Sequence, residues 1–521
     1  MEQYLLAVIG AGEAALPIIN KAKSIGVKTL VFGQNGSLAQ DISDIFIDND
    51  IFDIDGVYNH CKENKVNGVI ASSEISTEVA AKIAAKLGLP GNDVEKGFAG
   101  RNKYEMRCRV STVNSVKQPL FELYDDKKKY PFPIMVKAVD SCGKQGVSLV
   151  KTEDDFQEAI EYAQKYSSNG NVLIEHYLEG GQEYSVECIA FKGFSWIIQI
   201  TQKDTTGAPH FVEIGHHQPA ILSNEIKQKI EIAAKDILEV LGITCGMAHL
   251  EIKIINNDIY FIEVGARAGG GHIGDTLIAL STGYDYYRAA IECSLGVYEH
   301  RENLFNNYAG IYYYCDFTKS LKSMFVKSLD STWCFDNNIK NLANTSPKNS
   351  SERTEYFIYC SDRKINKENY SSSDCCAIEI NALPNAYQLV WNHWKEIGRN
   401  LNDDEMNSGI KKFLNQGHLI CVVNNNRILA FLNLYCNNYD SLEAYVCNIY
   451  VLEEFRRLGL FAVIFKKAIS MCKDKGFRTL ALHVREDNFR AVEIYKKNGF
   501  VFTGNKKVLE GGEMLEMVLN L

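Results

Sequence analysis

The sequence predicts a multidomain α/β protein, and three observations carry that expectation. Its 521 residues, at roughly 150 per domain, divide into three or four domains. From the N-terminus onward, short apolar runs alternate with amphipathic helical patterns, the pattern of a doubly wound parallel sheet. A polar stretch at 361–374, dominated by Ser, Asn, Lys and Asp, then separates this larger part from a compact α/β remainder.

Composition narrows the function classes. With 46% hydrophobic and 23% charged residues, disorder and collagen-like repeats are excluded. Fifteen cysteines in so long a chain, with no C-x-x-C spacing, make neither a disulfide framework nor a zinc pattern. Reduced thiols and a cytoplasmic address are expected. Met1-Glu2-Gln3 before the apolar run at 5–9 lacks a basic n-region, and no apolar stretch approaches the ~18 residues of a membrane span. Of the net charge of −9, residues from 377 onward contribute +2 and those before it −11. An acidic body without a basic stripe argues against nucleic acid as a partner. Small molecules are the expected partners, with no membrane; a homo-oligomer is compatible with the sequence.

Runs at 5–9, 29–32, 44–47 and 68–70 read as strands, with 77–87 the clearest helix between such runs. Gly10-Ala11-Gly12-Glu13-Ala14-Ala15 follows the first strand and opens a helix, as a dinucleotide fingerprint requires. However, the second strand ends in Phe32-Gly33-Gln34-Asn35 with no acid, so the segment is read as a tight turn lining a substrate cleft. Pro90-Gly91-Asn92 closes this Rossmann-like unit.

The most informative stretch runs from His249 to Val264 and reads as two strands joined by an Asn256-Asn257-Asp258 turn. With all three residues in the loop, Ile255 faces Ile259. One face then pairs Leu250 with Val264, Ile252 with Ile262 and Ile254 with Tyr260, and the other sets Glu251 opposite Glu263. Carboxylates ~5 Å apart repel by roughly 3 kcal/mol at an effective dielectric of about 20, so something must offset them. A hard divalent cation, Mg²⁺ or Mn²⁺, completed by phosphate oxygens would do so; a solvated pair bridged by Lys253 or an arginine is the alternative. The continuation, Gly265-Ala266-Arg267-Ala268-Gly269-Gly270-Gly271-His272, favours the metal. It adds amides free to approach an anion and a planar guanidinium.

On these residues the sequence resembles the ATP-grasp superfamily of carboxylate-amine ligases over about 1–360. The resemblance implies a pre-ATP-grasp Rossmann-like domain at 1–92 and an ATP-grasp domain at 93–360 with a mobile lid at about 105–190. It implies ATP phosphates on Lys103 and Lys137, a small-residue loop from Ser141 to Val147, and an adenine-binding hinge at Glu175, Tyr177 and Leu178. Glu183 is expected on the ribose and Mg²⁺ on Glu251 and Glu263. Catalysis would use Lys137 and Arg267. Substrate contacts are expected at Glu213, His216, His217, Gly269 and Gly270. One departure stands out: the family often has Asn two residues after the second metal glutamate, and this chain has Gly265.

Beyond a linker at 361–376, helical patterns at 387–401 and 403–414 precede strands at 418–423, 428–435 and 443–451. Arg456-Arg457-Leu458-Gly459 then leads into an apolar helix, a strand-to-helix turn suited to a pyrophosphate. A later helix sets Asn488, Ala491, Val492 and Tyr495 on one face and stops at Gly499. Together these segments resemble the GNAT family of N-acetyltransferases over 377–521. The resemblance implies acetyl-CoA bound by Arg456, Arg457, Gly459 and Asn488, with Tyr495 protonating the leaving thiolate. Phe461 replaces the last small residue of the pyrophosphate loop. The base stays open between Glu443 and a bound water.

The expected function is bifunctional: ATP-dependent joining of a carboxylate to an amine through an acyl phosphate, and acetyl-CoA-dependent N-acetylation. Two alternatives remain, a ligase whose GNAT unit only docks, and a catalytically silent ATP-binding regulator.

Overall fold

The computed structural model describes residues 4–521 except 96, 97, 99, 371–375, 400, 457, 510 and 511. Met1-Glu2-Gln3, Arg457 and residues 371–375, in the C-terminal part of the expected linker, therefore lie outside the described residues. Two compact units emerge. One comprises Met1–Lys327, Asn337–Tyr359 and Arg363–Tyr370, the other Ser328–Asp336, Cys360–Asp362 and Ser371–Leu521. Among the described residues no helix is long and apolar enough to cross a membrane.

The first unit opens with a parallel sheet of β1 (Leu5–Ile9), β2 (Lys28–Gly33), β3 (Ile45–Asp48) and β4 (Gly68–Ala71) in the order β3-β2-β1-β4. Helices α1 (Leu16–Ser24), α2 (Ile54–Glu63) and α3 (Thr77–Leu87) connect the strands. The buried residues of β1 and β2 alternate between two apolar surroundings, as strands covered on both faces require. Ala7, Ile9, Leu30 and Phe32 pack with α2 and α3. Leu6, Val8 and Val31 pack with α1 and, from later in the chain, with Ile189, Met247 and Ile291.

After α4 (Lys103–Val110), a four-stranded antiparallel sheet contains β5 (Phe121–Leu123), β6 (Ile134–Ala138), β7 (Val147–Val150) and β8 (Val172–His176), covered by α5 (Phe156–Tyr166). It occupies the middle of the expected lid. The next strand, β9 (Gln182–Phe191), pairs with β10 (Phe194–Thr205) and β12 (Cys245–Ile255) and belongs to a separate eight-stranded sheet. That sheet also takes β11 (Glu213–Gln218), β13 (Asp258–Gly265), β14 (Tyr308–Tyr313), β15 (Cys334–Asn338) and β16 (Tyr356–Ser361). Its order is β13-β12-β9-β10-β11-β14-β16-β15. Helix α6 (Asn224–Val240) buries Ile230, Ala233 and Ile237 against it, and α7 (Ile278–Thr282), α8 (Tyr286–Ser294) and α9 (Lys322–Ser328) follow.

The β12–β13 hairpin corrects the predicted register while keeping its consequence. The turn holds two residues, Asn256 and Asn257, both left-handed at φ 51° and 67°, so Ile255 pairs with Asp258 rather than facing Ile259. Ile254 pairs with Ile259 and Ile252 with Phe261, and a bulge between Glu251 and Ile252 then absorbs Ile262. Beyond the bulge Leu250 meets Val264 and Glu251 meets Glu263, as predicted. Two-residue turns with positive φ match strand twist, which is why Asn-Asn closes the hairpin without the aspartate. Asn257→Ala is expected to cost about 1 kcal/mol, because a β-carbon is disfavoured in the left-handed region. Asn257→Gly should be neutral or slightly stabilising. Urea unfolding of both variants checks this; an alanine variant as stable as the wild type would refute the turn geometry.

The second unit is a seven-stranded sheet. It contains β17 (Ile378–Glu379), β18 (His418–Asn424), β19 (Arg427–Tyr435), β20 (Glu443–Val451), β21 (Thr479–Arg485), β22 (Val501–Leu509) and β23 (Gly512–Asn520), in the order β17-β18-β19-β20-β21-β23-β22. Helices α10 (Ala386–Glu396) and α11 (Asp403–Gln416) precede the long strands; α12 (Leu460–Asp474) and α13 (Phe489–Lys497) follow β20 and β21. Leu432, Leu434, Val446 and Leu482 bury against Ile464, Phe465 and Ala468 of α12.

Candidate active sites

The hairpin register puts two carboxylates on neighbouring strands inside a ring of ammonium groups. Glu251 Oε1 lies 2.7 Å from Lys203 Nζ and 3.3 Å from His249 Nε2, and its Oε2 lies 4.0 Å from Lys144 Nζ. Glu263 Oε2 lies 3.4 Å from Lys103 Nζ, which also donates to the Ser141 carbonyl at 2.5 Å. Burial alone would raise the Glu251 carboxyl, but Lys203, Lys144 and His249 outweigh it and hold it well below the usual carboxylate range. Glu263 is likewise lowered: burial and Glu251 act against ionisation, and Lys103, Lys144 and Lys137 prevail.

These donors suit a hard cation. Among the described residues no group of three or more His, Cys, Asp or Glu is placed to hold a metal ion by itself. Two facing carboxylates would hold Mg²⁺ only together with oxygens from elsewhere, such as phosphate and water. His249 completes the support from below. Its Nδ1 lies 2.7 Å from the buried Glu187. Burial would lower the imidazole, yet Glu187 and Glu251 push it up to about 9.

Next to this centre a partly open cleft brings together Lys137, Glu175, Tyr177, Leu178 and Glu183, with Met135, Val147 and Ile262 as apolar walls. The bulge that displaced Ile262 from the predicted apolar face is what makes it a wall here. Glu175 is not free to meet a base. Its carboxylate is gripped by Arg107 Nε and Lys137 Nζ, each at 2.6 Å. Burial opposes its ionisation, but the two cations hold it down to about 2. The Leu178 carbonyl accepts from Lys253 Nζ at 2.7 Å. Across the cleft, Gly143, Lys144 and Gly146 all adopt φ near 65° in the loop between β6 and β7. A β-carbon on Gly146 would come within 3.0 Å of Ala138 and Tyr166.

On the other side of the carboxylate pair, Arg267 Nη2 lies 2.7 Å from Glu74 Oε2 and its Nη1 donates to the Ala268 carbonyl at 2.8 Å. Glu74 follows β4, so the first sheet supplies the residue that aims the arginine. Lys203 Nζ, almost wholly enclosed, bridges Glu251 to Glu213 at 2.6 Å. Glu213 also faces His216 Nε2 at 3.6 Å and Arg353 Nη1 at 3.5 Å. His216 Nδ1 lies 3.0 Å from the Gly271 carbonyl, so the glycine loop and β11 meet. A β-carbon at Gly269 would clash with His249 Nδ1 at 2.7 Å, whereas Gly270 has open space. His217 is turned away from this group. Strand alternation sends it to the opposite face, where it meets Asp204 at 3.0 Å and the Tyr359 hydroxyl at 3.1 Å.

Sequence reasoning missed Glu74, Arg107, Glu187, Lys203 and Arg353. Only Lys203 carried a local signal, a lysine in the interior of an otherwise strand-like run; the others become partners solely through distant pairing.

In the second unit Gly459 takes φ 78° and caps α12, the helix that follows β20 after a short turn at 453–455, with open space where a β-carbon would sit. Arg456 is exposed and rests on the Val451 carbonyl and Glu453. The predicted partner Arg457 lies outside the described residues. Asn488 caps α13, its side-chain oxygen accepting from the Ala491 amide at 3.2 Å. Tyr495 is set among Phe461 and Phe500, and burial pushes its phenol up to about 12.

Comparison with known proteins follows this division. The profile of the ATP-grasp domain matches residues 130–275, and that of the acetyltransferase (GNAT) family matches residues 383–500. Alanine–anticapsin ligase of Bacillus subtilis strain 168 is 28% identical over 232 residues, covering 39% of this chain and 49% of that protein. Dapdiamide A synthase of Enterobacter agglomerans is 27% identical over 224 residues, 40% of this chain and 51% of that one. The chain thus spans about half the length of the curated relatives it matches. Among solved structures, an L-amino acid ligase from Bacillus licheniformis superposes with a TM-score of 0.55 at 22% identity, over 69% of this chain and 94% of that one, a likeness of fold.

Proposed function

Residues 130–275 carry an ATP-grasp domain and residues 383–500 a GNAT-family acetyltransferase domain, and from that premise we propose a bifunctional enzyme. Its first unit joins a small carboxylic acid to an amine with ATP. Its second transfers an acetyl group from acetyl-CoA to an amine. The observation that carries the first half is the in-register Glu251–Glu263 pair beside the cleft lined by Lys137 and Lys144.

The roles follow from charge and position. Mg²⁺ on Glu251 and Glu263 would neutralise ATP phosphate oxygens. Lys103 on α4, Lys137 on β6 and Lys144 on the β6–β7 loop would bind the same oxygens. Arg267, aimed by Glu74, stabilises negative charge on the carboxyl being activated. Glu213 and His216, tied to Glu251 through Lys203, would hold the substrate amine or acid. Closure of the loop keeps water from the acyl phosphate. In the second unit the amides at the start of α12 bind a pyrophosphate, and Tyr495 donates a proton to the departing thiolate.

The relatives named above support an amino-acid-like acid and amine. Full-length protein with Mg-ATP and pooled amino acids, with and without acetyl-CoA, is expected to release ADP together with a mass equal to acid plus amine minus water. An acetyl-CoA-dependent acetylated mass is expected as well. ADP release with no condensed product would refute the ligase. CoA binding without any acetylated amine would reduce the second unit to a docking module.

A further inference from the structure

In the second unit β20 and β21 run parallel but pair only from Glu443↔Thr479 to Val446↔Leu482. Beyond that point β20 keeps only β19 as a neighbour, after a bulge at Cys447 that sets Asn448 opposite Asn433, and β21 keeps only β23. The strands therefore splay, and the facing edges of 447–451 and 483–485 carry backbone groups that no described strand takes up. An extended ligand bearing amide groups completes such an edge as an added strand does.

The two faces of this split differ. Leu482 and Val484 point into the α12 core, and Tyr495 packs on that same core. His483, between them, points from the opposite face by strand alternation. It is the first residue of β21 past the last pair, and its Nδ1 lies 3.0 Å from the Tyr445 hydroxyl on β20. Glu516, its register partner on β23, keeps its carboxylate on Thr503 and Asn505, each at 2.7 Å. When the Nδ1 proton is donated to the Tyr445 oxygen, Nε2 carries the lone pair.

We propose that His483 is the base that accepts the proton of the attacking amine, with Tyr445 as the residue that positions it; this rests on the acetyltransferase reading of the second unit. The amine nitrogen bonds to the thioester carbonyl carbon, and the carbon–sulfur bond breaks with its electron pair on sulfur. The nitrogen's proton passes to His483 Nε2, and the thiolate takes a proton from Tyr495 on the other face. Base and acid thus flank the split from opposite sides, and the amine enters on the face of Tyr445. Glu443, the earlier candidate, pairs with Thr479 at the closed end of the paired segment.

The test uses the full chain and no amine. Calorimetric titration with CoA comes first: absence of binding overturns the acetyltransferase reading itself. Bromoacetyl-CoA then serves as the probe, because its electrophilic carbon sits beside the thioester carbonyl. Cys447, exposed on the β20 bulge, is changed to serine so that it does not compete. The expected result is a CoA-bearing adduct mapped to the His483 ring by peptide mass spectrometry. Its formation should slow about tenfold under tenfold excess acetyl-CoA, by simple competition, and several-fold in Tyr445→Phe. CoA binding without a His483 adduct overturns the assignment of the base. Equal labelling in Tyr445→Phe overturns the positioning role.

Discussion

Glu263→Gln is expected to abolish ADP release, by on the order of 10³-fold, while the protein stays folded and still binds CoA. A charge placed where transition-state charge develops is ordinarily worth that much when a single stabilising group is removed. Glu263 is the cleaner to test of the two carboxylates proposed to hold the metal. Among the described residues its ion-pair partner is Lys103 at 3.4 Å, and a glutamine oxygen can still accept from that ammonium. Glu251 is a poorer choice, since Lys203 and His249 both lean on it and neutralising it would leave Lys203 on Glu213 alone. ADP release is measured across a Mg²⁺ titration, with circular dichroism as the folding control. A variant that retains more than about a tenth of wild-type turnover would show that Glu263 does not hold the metal.

Glu175→Gln is expected to destabilise the first unit by about 3–5 kcal/mol, the usual cost of removing one partner from a buried ion group. Arg107 and Lys137 both spend a hydrogen bond on this carboxylate, and the Arg107 side chain is only 2% exposed. Without the charge, the Arg107 and Lys137 cations would face each other across a largely buried neutral carboxamide. The pH dependence has a definite sign. The Glu175 carboxyl is held down to about 2 in the folded chain against 4.5 ordinarily. Its contribution is therefore complete above 4.5 and is lost as pH falls toward 2. Urea unfolding of wild type and variant at several pH values should show the gap narrowing over that window. A gap below about 1 kcal/mol at neutral pH would mean that the cations find other partners, and that the hinge does not depend on this triad.

How much of this was legible beforehand varied with the range of the interactions. Leu5–Ile9 and Thr77–Leu87 could be read directly, because hydrophobic period and flanking turn residues are local. The Glu251–Glu263 opposition was also legible, although the turn was read one residue too long. The bulge at Ile262 cancelled that error, and no local signal announces a bulge. His216 and His217 show the limit of residue type alone. Both are histidines in one motif, yet adjacent strand positions face opposite sides, and only His216 joins Glu213 and the glycine loop.

What the sequence by itself made legible is therefore the first parallel sheet, the β12–β13 hairpin, the long strands of the second unit and the division into two family resemblances; the paired glutamates, Lys103 and Lys137, the glycine loop and Tyr495 are the carriers proposed from it. Tertiary structure alone decided who partners whom. Glu74 reaches Arg267 across 193 positions and Arg107 reaches Glu175 across 68; Tyr445 meets His483 across 38. Periodicity reports which face of an element is buried, since that depends on neighbours three or four residues away. It carries no information on which distant charge will share that burial, because an ion pair forms only after the sheets have ordered and water has been excluded from between them.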